Sequence, residues 1–454
     1  MLLAEVLTAA GLPAGLADGA VLTGSGIVQP SSFPVDRVAQ ATIAAAGLAA
    51  AAIHAARGAA MPRVFVDRRA AAIEFRSERH LRPAREAWDS IAGLYRSADG
   101  WLRLHTNFPH HRAGILRLLG CAGERAAVQQ ALAGRRSEDF ETEATAAGLC
   151  VAAFRTRQQW FAHPQAAVLA AQPLIAIERI APAARRPLPE AAAAPLAGLR
   201  LLDLTRVIAG PVAGRTLAHH GAEVLHISAP HLPSIPALVM DTGRGKRNAF
   251  LDLREPADAA RFARLVAGAD ALACSYRPGA LARLGFPDER LAELSPGIVV
   301  AHLSAYGTEG PWGGKRGFDS LVQTATGINA EEAEAAGEET PRPLPCQALD
   351  HASGYLLALG IMAAWLRRAE EGGSWRVRVS LARTGHWIRG LPRIPNGFSV
   401  TEPTQEEVAD LLETEESGFG PLTTVRHAAL LEGITPRPSP AMPLGSSPAE
   451  WLTP

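Results

Sequence analysis

An α/β protein is what the sequence predicts: a mostly parallel, Rossmann-like large domain joined to a smaller, mainly helical α+β domain. Three observations predict it. Between 197 and 390, short apolar runs alternate with amphipathic helical runs, the pattern of βαβ units. The chain has 454 residues, material for two or three domains. The Pro/Ala-rich stretch 181–196 (APAARRPLPEAAAAPL) separates two differently composed halves and reads as a linker.

From the N-terminus, residues 1–85 hold the longest apolar stretch, 38–56. It is long enough to span a bilayer. It is mostly Ala, however, and His54 interrupts it. Ala drives insertion weakly, so the stretch reads as a tightly packed helix and no membrane partner is expected. Met1–Glu5 lacks the basic start of a signal peptide. Residues 86–180 read as the smaller domain. It begins with a hairpin-like segment, Tyr95–Leu104, turning at Asp99-Gly100, and apolar helical runs follow.

In the large domain, 197–390, Leu199–Leu204, Ala222–Ile227, Ala271–Ser275 and Ile298–Leu303 read as strands. Val212–His220, Pro256–Ala267 and Leu281–Leu294 supply helices between them. Short connections of this kind make a parallel sheet, whose ligands sit at the carboxyl ends of its strands. Pro and Gly break the chain again at 391–402, and 391–454 is expected to form an extended C-terminal arm.

An internal repeat emerges at an offset of 313 residues: Gly47-Leu-Ala-Ala-Ala falls on Gly360-Ile-Met-Ala-Ala, and Arg63-Val-Phe-Val on Arg376-Val-Arg-Val. Both copies read as helix, basic turn and strand, so 1–85 reads as a partial copy of the unit that closes the large domain. In this register Arg37 takes the place of Asp350, with Asp36 one step away.

Lys+Arg and Asp+Glu are 45 each, so the formal net charge is zero. That balance gives no support to nucleic acid or an anionic membrane as the main partner, and none is expected. The four cysteines lie far apart, with no metal-ligand spacing. They point to a reducing cytosol, with neither a disulfide framework nor a structural metal.

GxSxG, HExxH and P-loop signatures are absent, and the loop Thr205–Gly214 is glycine-bearing without being GxGxxG. Basic residues collect near the strand ends: Arg244, Lys246, Arg247 and Arg254, then Arg277 and Arg283, then Lys315 and Arg316. Each alone reads as solvated charge. Convergence of several would make a polyphosphate site. Asp350 precedes the apolar helical run Tyr355–Leu366. By pattern alone it is a helix N-cap, a place that also stabilises carboxylates and oxyanions.

The stretch LAGLRLLDLTRVIAGPVAGRTLAHHGAEVLHISAP resembles the opening of class III CoA-transferases, the family that includes formyl-CoA transferases and α-methylacyl-CoA racemases. GRGKRNAFLDLREPAD, SYRPGALARLGF, VVAHLSAYGTEGPWGGKRGFDSLVQTATG and LDHASGYLLALGIMAAWLRR continue the resemblance in order over 197–382. Residues 86–180 resemble the family's small domain. The order is unusual, because here the small-domain-like part precedes the large one. The expectation is a fused or permuted pair of partial copies that together rebuild one working unit. The family forms interlocked homodimers; a chain closed on itself is the alternative.

The resemblance implies transfer of coenzyme A from an acyl-CoA to a carboxylic acid, with Asp350 as nucleophile, no metal, and coenzyme A as substrate rather than cofactor. It places Ile208, Leu251, Asp252, Arg254, Tyr276, Arg277, Arg283 and Arg316 at the CoA site. Two positions depart from the family. Ile208 stands where formyl-CoA transferases have a glutamine, which suits a larger or less polar acyl group. Ala229 stands where a basic residue is common. The racemase branch carries a histidine before the aspartate of its GHD motif; here the residues are Gly317-Phe318-Asp319. Phe318 cannot move a proton, which favours transfer over epimerisation. Asp319, His302 and His351 read as structural. A racemase-like enzyme with another base, and a catalytically silent binder of CoA esters, are the alternatives.

Overall fold

The computed structural model describes residues 1–85, 88–190, 192–436 and 438–452. The first two residues of the expected small domain (86 and 87), linker residue 191, and arm residues 437, 453 and 454 lie outside the described residues.

The N-terminal segment forms β1 (Ala20–Thr23), α1 (Val35–Ala56), β2 (Val64–Asp67) and α2 (Arg68–Glu74). The Asp67 carboxylate caps α2 by accepting from the Arg69 and Ala70 N–H groups. The next segment folds β3 (Gly93–Arg96) and β4 (Trp101–Leu104) as the expected hairpin, and β5 (Val151–Ala153) joins β4 antiparallel. Helices Pro109–Leu119, Arg125–Ala133 and Ser137–Ala146 lie between β4 and β5. They bury Ile115, Val128, Leu132 and Phe140 in a separate small core.

The remaining elements are β6 (Ala176–Ala181), β7 (Arg200–Leu204), α3 (Ala209–His219), β8 (Glu223–Ser228), β9 (Lys246–Phe250), β10 (Ala271–Cys274), β11 (Val299–Ser304), α4 (Asp319–Ala325), α5 (Ala348–Glu371), β12 (Ser374–Ser380) and α6 (Leu381–Gly390). Among the described residues the largest sheet has the order β6-β12-β11-β10-β7-β8-β9. All its pairs are parallel except the edge pair β6–β12. The strands diverge in sequence order on the two sides of β7. The carboxyl ends of β7 and β10 are therefore the switch point of the sheet, where a crevice opens.

Several expectations need correction. β9 (KRNAF) is a strand where the sequence predicts only a cluster of basic residues. Its polar residues obscure it, and its two cations are used within the sheet. Lys246 Nζ lies 2.8 Å from Asp203, and Arg247 Nη1 lies 3.4 Å from Glu223. The segment 86–180 does not close on itself, because β6 at its end forms the antiparallel edge of the large sheet. The linker is held down: the Arg57 guanidinium donates to the Pro189 and Pro195 carbonyls at 2.9 and 2.6 Å. The C-terminal arm is more than extended chain. It carries the hairpin β13 (Leu412–Ser417) and β14 (Gly420–Val425), then β15 (Ala429–Leu431), which pairs antiparallel with β2.

Helices α1 and α5 are both long and apolar enough to cross a membrane, and both are largely buried within the protein. They pack against each other, and α5 also packs on α3.

Candidate active site

Asp350 stands at the third position of α5, whose N-cap Gln347 makes no side-chain cap bond. Capping falls instead to Asp319, the first residue of α4, whose Oδ2 accepts the Asp350 N–H at 2.9 Å. Gln323 donates to the other Asp319 oxygen. With the helix end satisfied by a neighbour, the Asp350 carboxylate is released from the capping role that pattern alone assigns it. Among the described residues no hydrogen bond reaches its carboxylate oxygens. It is 7% exposed.

Burial pushes the Asp350 carboxyl well above its ordinary range, and the charges of Asp319 and Glu78 push it further. Burial likewise pushes Asp319 up to about 6, against the bonds it accepts from the Asp350 N–H and Gln323. Both acids therefore hold a proton more readily than an ordinary carboxyl.

Close approach of α5 to α3 sets where Asp350 points. A Cβ on Gly354, one turn along the same face, would stand 2.5 Å from the Ala209 carbonyl oxygen and 2.8 Å from Val212 Cβ. Only glycine lets the two helices meet there. The entry to α3 is itself unusual. Val207 has φ +74°, a left-handed conformation that a β-branched side chain rarely adopts. Holding it costs about 1–3 kcal/mol, and such strain concentrates at functional sites.

A cleft of about 1390 Å³ opens at the switch point, with Asp350 in its lining. The loop after β7 supplies Arg206, Val207 and Ala209, the loop after β10 supplies Tyr276 and Arg277, and the segment after β11 supplies Lys315, Arg316 and Phe318. The small domain covers the other side with Phe108, His110, His111 and Cys150. Beside Asp350 a smaller, partly open chamber adjoins the cleft, sharing Val207, Phe318 and Asp350 with it, and Ile208 lines it.

Ion pairing sorts the basic residues singled out from the sequence. Arg244 is paired with Glu413 at 2.8 Å, Lys315 with Glu141 at 2.7 Å and Arg254 with Asp252 at 2.6 Å, beside the internal pairs of Lys246 and Arg247. Among the described residues Arg206, Arg277, Arg283 and Arg316 have no carboxylate partner within 4 Å. Three of these four line the cleft. Arg316 Nη1 lies 3.3 Å from His111 Nε2, and the Arg206 guanidinium stands 4.9 Å over the Phe108 ring. Burial, then the positive charges of Arg316 and Arg283, hold Arg277 below its ordinary range, the mark of unneutralised cations crowded together.

The structure therefore brings together Asp350, Ile208, Tyr276, Arg277 and Arg316. Arg283 stands beside Arg277 on the exposed helix Ala280–Arg283. Leu251, Asp252 and Arg254 are not brought into the cleft. They follow β9, two strands from β7 and so about 10 Å across the sheet. Leu251 is buried in the core on that side, and Arg254 and His231 hold Asp252. Ala229 is buried after β8. His302 is tied to Asp288 at 2.9 Å.

Sequence reasoning missed three contributors. Arg206 lies in the DLTRVIAGP loop and could have been noticed there. His105 stacks on Phe318 with ring centroids 3.6 Å apart. Glu78 reaches the chamber from the turn after α2, and its Oε2 lies 3.2 Å from His351 Nε2. Burial works against the Glu78 charge, but the His351 bond and the charges of His351 and Arg79 outweigh it and hold its carboxyl below the usual range. A buried cluster docks this turn on α3. Ser77 Oγ donates to Asp241 at 2.8 Å, and Arg215 lies 3.2 Å from Asp241 and 3.6 Å from Glu74. No local pattern marks Glu78 or His105, since each meets the site only through folding.

The Rossmann-like α/β sheet thus carries a switch-point cleft lined by three guanidiniums without a carboxylate partner among the described residues, with a buried carboxylate in the same lining. Residues 196–395 match the sequence model of CoA-transferase family III. An acetyl-coenzyme A transferase of Hypoxylon pulicicidum is 35% identical over 198 residues, 43% of this chain and 33% of its own length. A probable fatty acyl-CoA transferase of Mycobacterium tuberculosis is 34% identical over 202 residues, 42% of this chain and 51% of its own. The crystal structure of that mycobacterial protein aligns with TM-score 0.39 and 31% identity, covering 43% of this chain and 57% of the other. The chain thus spans about half the length, or less, of these curated relatives.

Proposed function

We propose that this protein is an enzyme that transfers coenzyme A from an acyl-CoA thioester to a carboxylic acid through an aspartyl-CoA thioester on Asp350. The observation that carries the reading is the pairing of a carboxylate left without hydrogen bonds among the described residues with a cleft edged by three guanidiniums that have no carboxylate partner. The guanidiniums suit the phosphates of coenzyme A, and the carboxylate suits the thioester carbon.

The chemistry balances without metal or nucleotide energy. A carboxylate oxygen of Asp350 attacks the donor carbonyl, and the C–S bond breaks to give a mixed anhydride and CoA thiolate. The thiolate attacks the aspartyl carbonyl, which releases the donor acid and leaves an aspartyl-CoA thioester. The acceptor carboxylate then attacks that carbonyl, expelling thiolate, and the thiolate takes the acceptor acyl group, freeing Asp350. A carboxylate whose proton affinity is raised by burial is a stronger nucleophile once ionised. Each tetrahedral stage needs oxyanion donors, and the first turn of α3 opens on the cleft at Ala209.

Epimerisation needs a base at the acyl α-carbon. His105 is an imidazole that lines the chamber with Asp350, stacked on Phe318. Burial, with the charges of His111 and Arg103, pushes it down to about 3, so it is neutral and a weak base. The site is composite: Glu78, His105 with His111, and Asp350 come from three successive segments of one chain. That supports the reading that the partial copies rebuild one working unit.

Incubation with acyl-CoA followed by peptide mass spectrometry tests the proposal, with a CoA adduct on Asp350 as the expected result. Deuterium exchange at the acyl α-carbon without an adduct identifies a racemase. Binding of CoA esters with neither signal identifies a silent relative.

A further inference from the structure

The chamber beside Asp350 differs in character from the cleft it adjoins. Its lining is Trp88, Val207, Ile208, Ile235, Leu238 and Phe318, with His105, Asn107, Ser320, Gln347 and the acids Glu78, Asp319 and Asp350. Among the described residues no lysine or arginine lines it. His105 is neutral for the reason given above. The lining itself therefore offers an entering carboxylate no cation, and the cation behind it, Arg103, acts on His105 and Asp319.

The hydrogen-bonding capacity of the lining is also largely spent. Glu78 bonds His351, Asp319 caps α5, and Asn107 Oδ1 accepts the Asp89 N–H at 3.1 Å. A carboxylate buried here would lose its hydration with no cation in the lining to replace it, and would face two further acids. An apolar group would meet two aromatic rings and four aliphatic side chains and gain by leaving water.

We infer that the acyl group handled at Asp350 is uncharged and apolar, of branched-chain or aromatic type, and that the chamber rejects the second carboxylate of a dicarboxylic acyl-CoA. This deepens the proposed transfer activity and rests on it for the identity of the reacting acid.

The test has two arms. In the first, the wild-type protein is incubated with isovaleryl-CoA, benzoyl-CoA and succinyl-CoA, and adduct on Asp350 is measured by mass spectrometry. The adduct is expected with the first two and at least about 100-fold slower with succinyl-CoA, the scale on which an unpaired buried polar group discriminates. In the second, binding of the same esters and of free coenzyme A to Asp350→Asn is measured by calorimetry. Isovaleryl-CoA is expected to bind at least about tenfold tighter than coenzyme A, and succinyl-CoA no tighter than coenzyme A. Adduct from none of the esters, with the binding order as expected, overturns the transfer reading while the chamber's preference stands. Equal or tighter binding of succinyl-CoA overturns the chamber's preference whatever the first arm gives. A further variant, Leu238→Arg, places a cation in the lining and is expected to reverse the order of the two esters. An unchanged order in a folded variant overturns the electrostatic argument.

Discussion

Two helix–strand–helix units stand side by side in this molecule, α1–β2–α2 and α5–β12–α6, and only one of them carries a candidate active site. Their first helices begin at 35 and 348 and their last at 68 and 381, the same 313-residue offset that the sequence repeat gives. A Cβ on Gly47 would meet Val64 Cγ1 at 2.8 Å, and one on Gly360 would meet Val377 Cγ1 at 2.6 Å, in register. Asp67 and Ser380 cap the last helices from matching positions. β2 has a parallel neighbour on one side and an antiparallel one on the other, as β12 has.

The difference lies at the N-terminal turn of the long helix. In the first unit the position of Asp350 is taken by Arg37, which is exposed, and the adjacent Asp36 is occupied by the N–H groups of Val28 and Gln29 at 2.7 and 3.4 Å. The place of Gly354 is taken by Ala41, and β2 lies in a sheet of three strands rather than seven. The unit is therefore a scaffold. A site arises where a second helix packs closely on its first turn and a wide parallel sheet brings loops to its end.

This comparison can be broken most sharply at Asp350. Asp350→Asn is expected to lower transfer activity by about a thousandfold or more, as loss of a covalent nucleophile does. Arg37→Asp is expected to yield no second adduct by mass spectrometry, because the cleft is missing around it. The same Asp350→Asn substitution should raise the melting temperature relative to wild type, by an amount that grows with pH. A carboxyl whose folded pKa lies above its unfolded value contributes stability below the unfolded pKa and loses it as pH rises through the folded one. The gain should therefore develop upward from about pH 4 and go on growing until the pH passes the raised folded value. A gain that shrinks with pH would contradict the assigned burial.

Next in size is Gly354→Ala. Its Cβ must displace the start of α3, at about 1–3 kcal/mol by denaturant unfolding and with a loss of activity beyond what stability explains. A smaller effect sharpens the likeness of the two units. Gly47→Ala and Gly360→Ala should destabilise by similar amounts, about 1–3 kcal/mol each, with kcat per folded molecule retained in Gly47→Ala. Smallest is Glu78→Gln. Removing a negative charge that raises the Asp350 carboxyl should move the acid limb of the kcat/KM profile to lower pH. A shift to higher pH would show that Glu78 acts on Asp350 with the opposite sign.

Much of the fold was legible because its strands are apolar and its helices amphipathic. The helix Pro256–Ala267 coincides with the expected range. β9 was hidden because an edge strand tolerates Lys246, Arg247 and Asn248. For the site, the position of Asp350 was legible only through its surrounding motif, since an acid near a helix start reads first as a cap. The basic residues could be counted but not sorted, because the partners of Lys246, Arg244 and Lys315 lie 43, 169 and 174 residues away in sequence.

The sequence by itself determined the alternation that makes a parallel sheet, the 313-residue repeat, and the presence of an acid at the head of a long apolar helix. Tertiary structure alone decided which carboxylate, among the described residues, accepts no hydrogen bond and which arginines have no carboxylate partner. Hydrogen bonding and ion pairing saturate a group locally, but in this chain the saturating partners come from distant segments. Whether a side chain is spent on structure or left for chemistry is settled only when those segments meet.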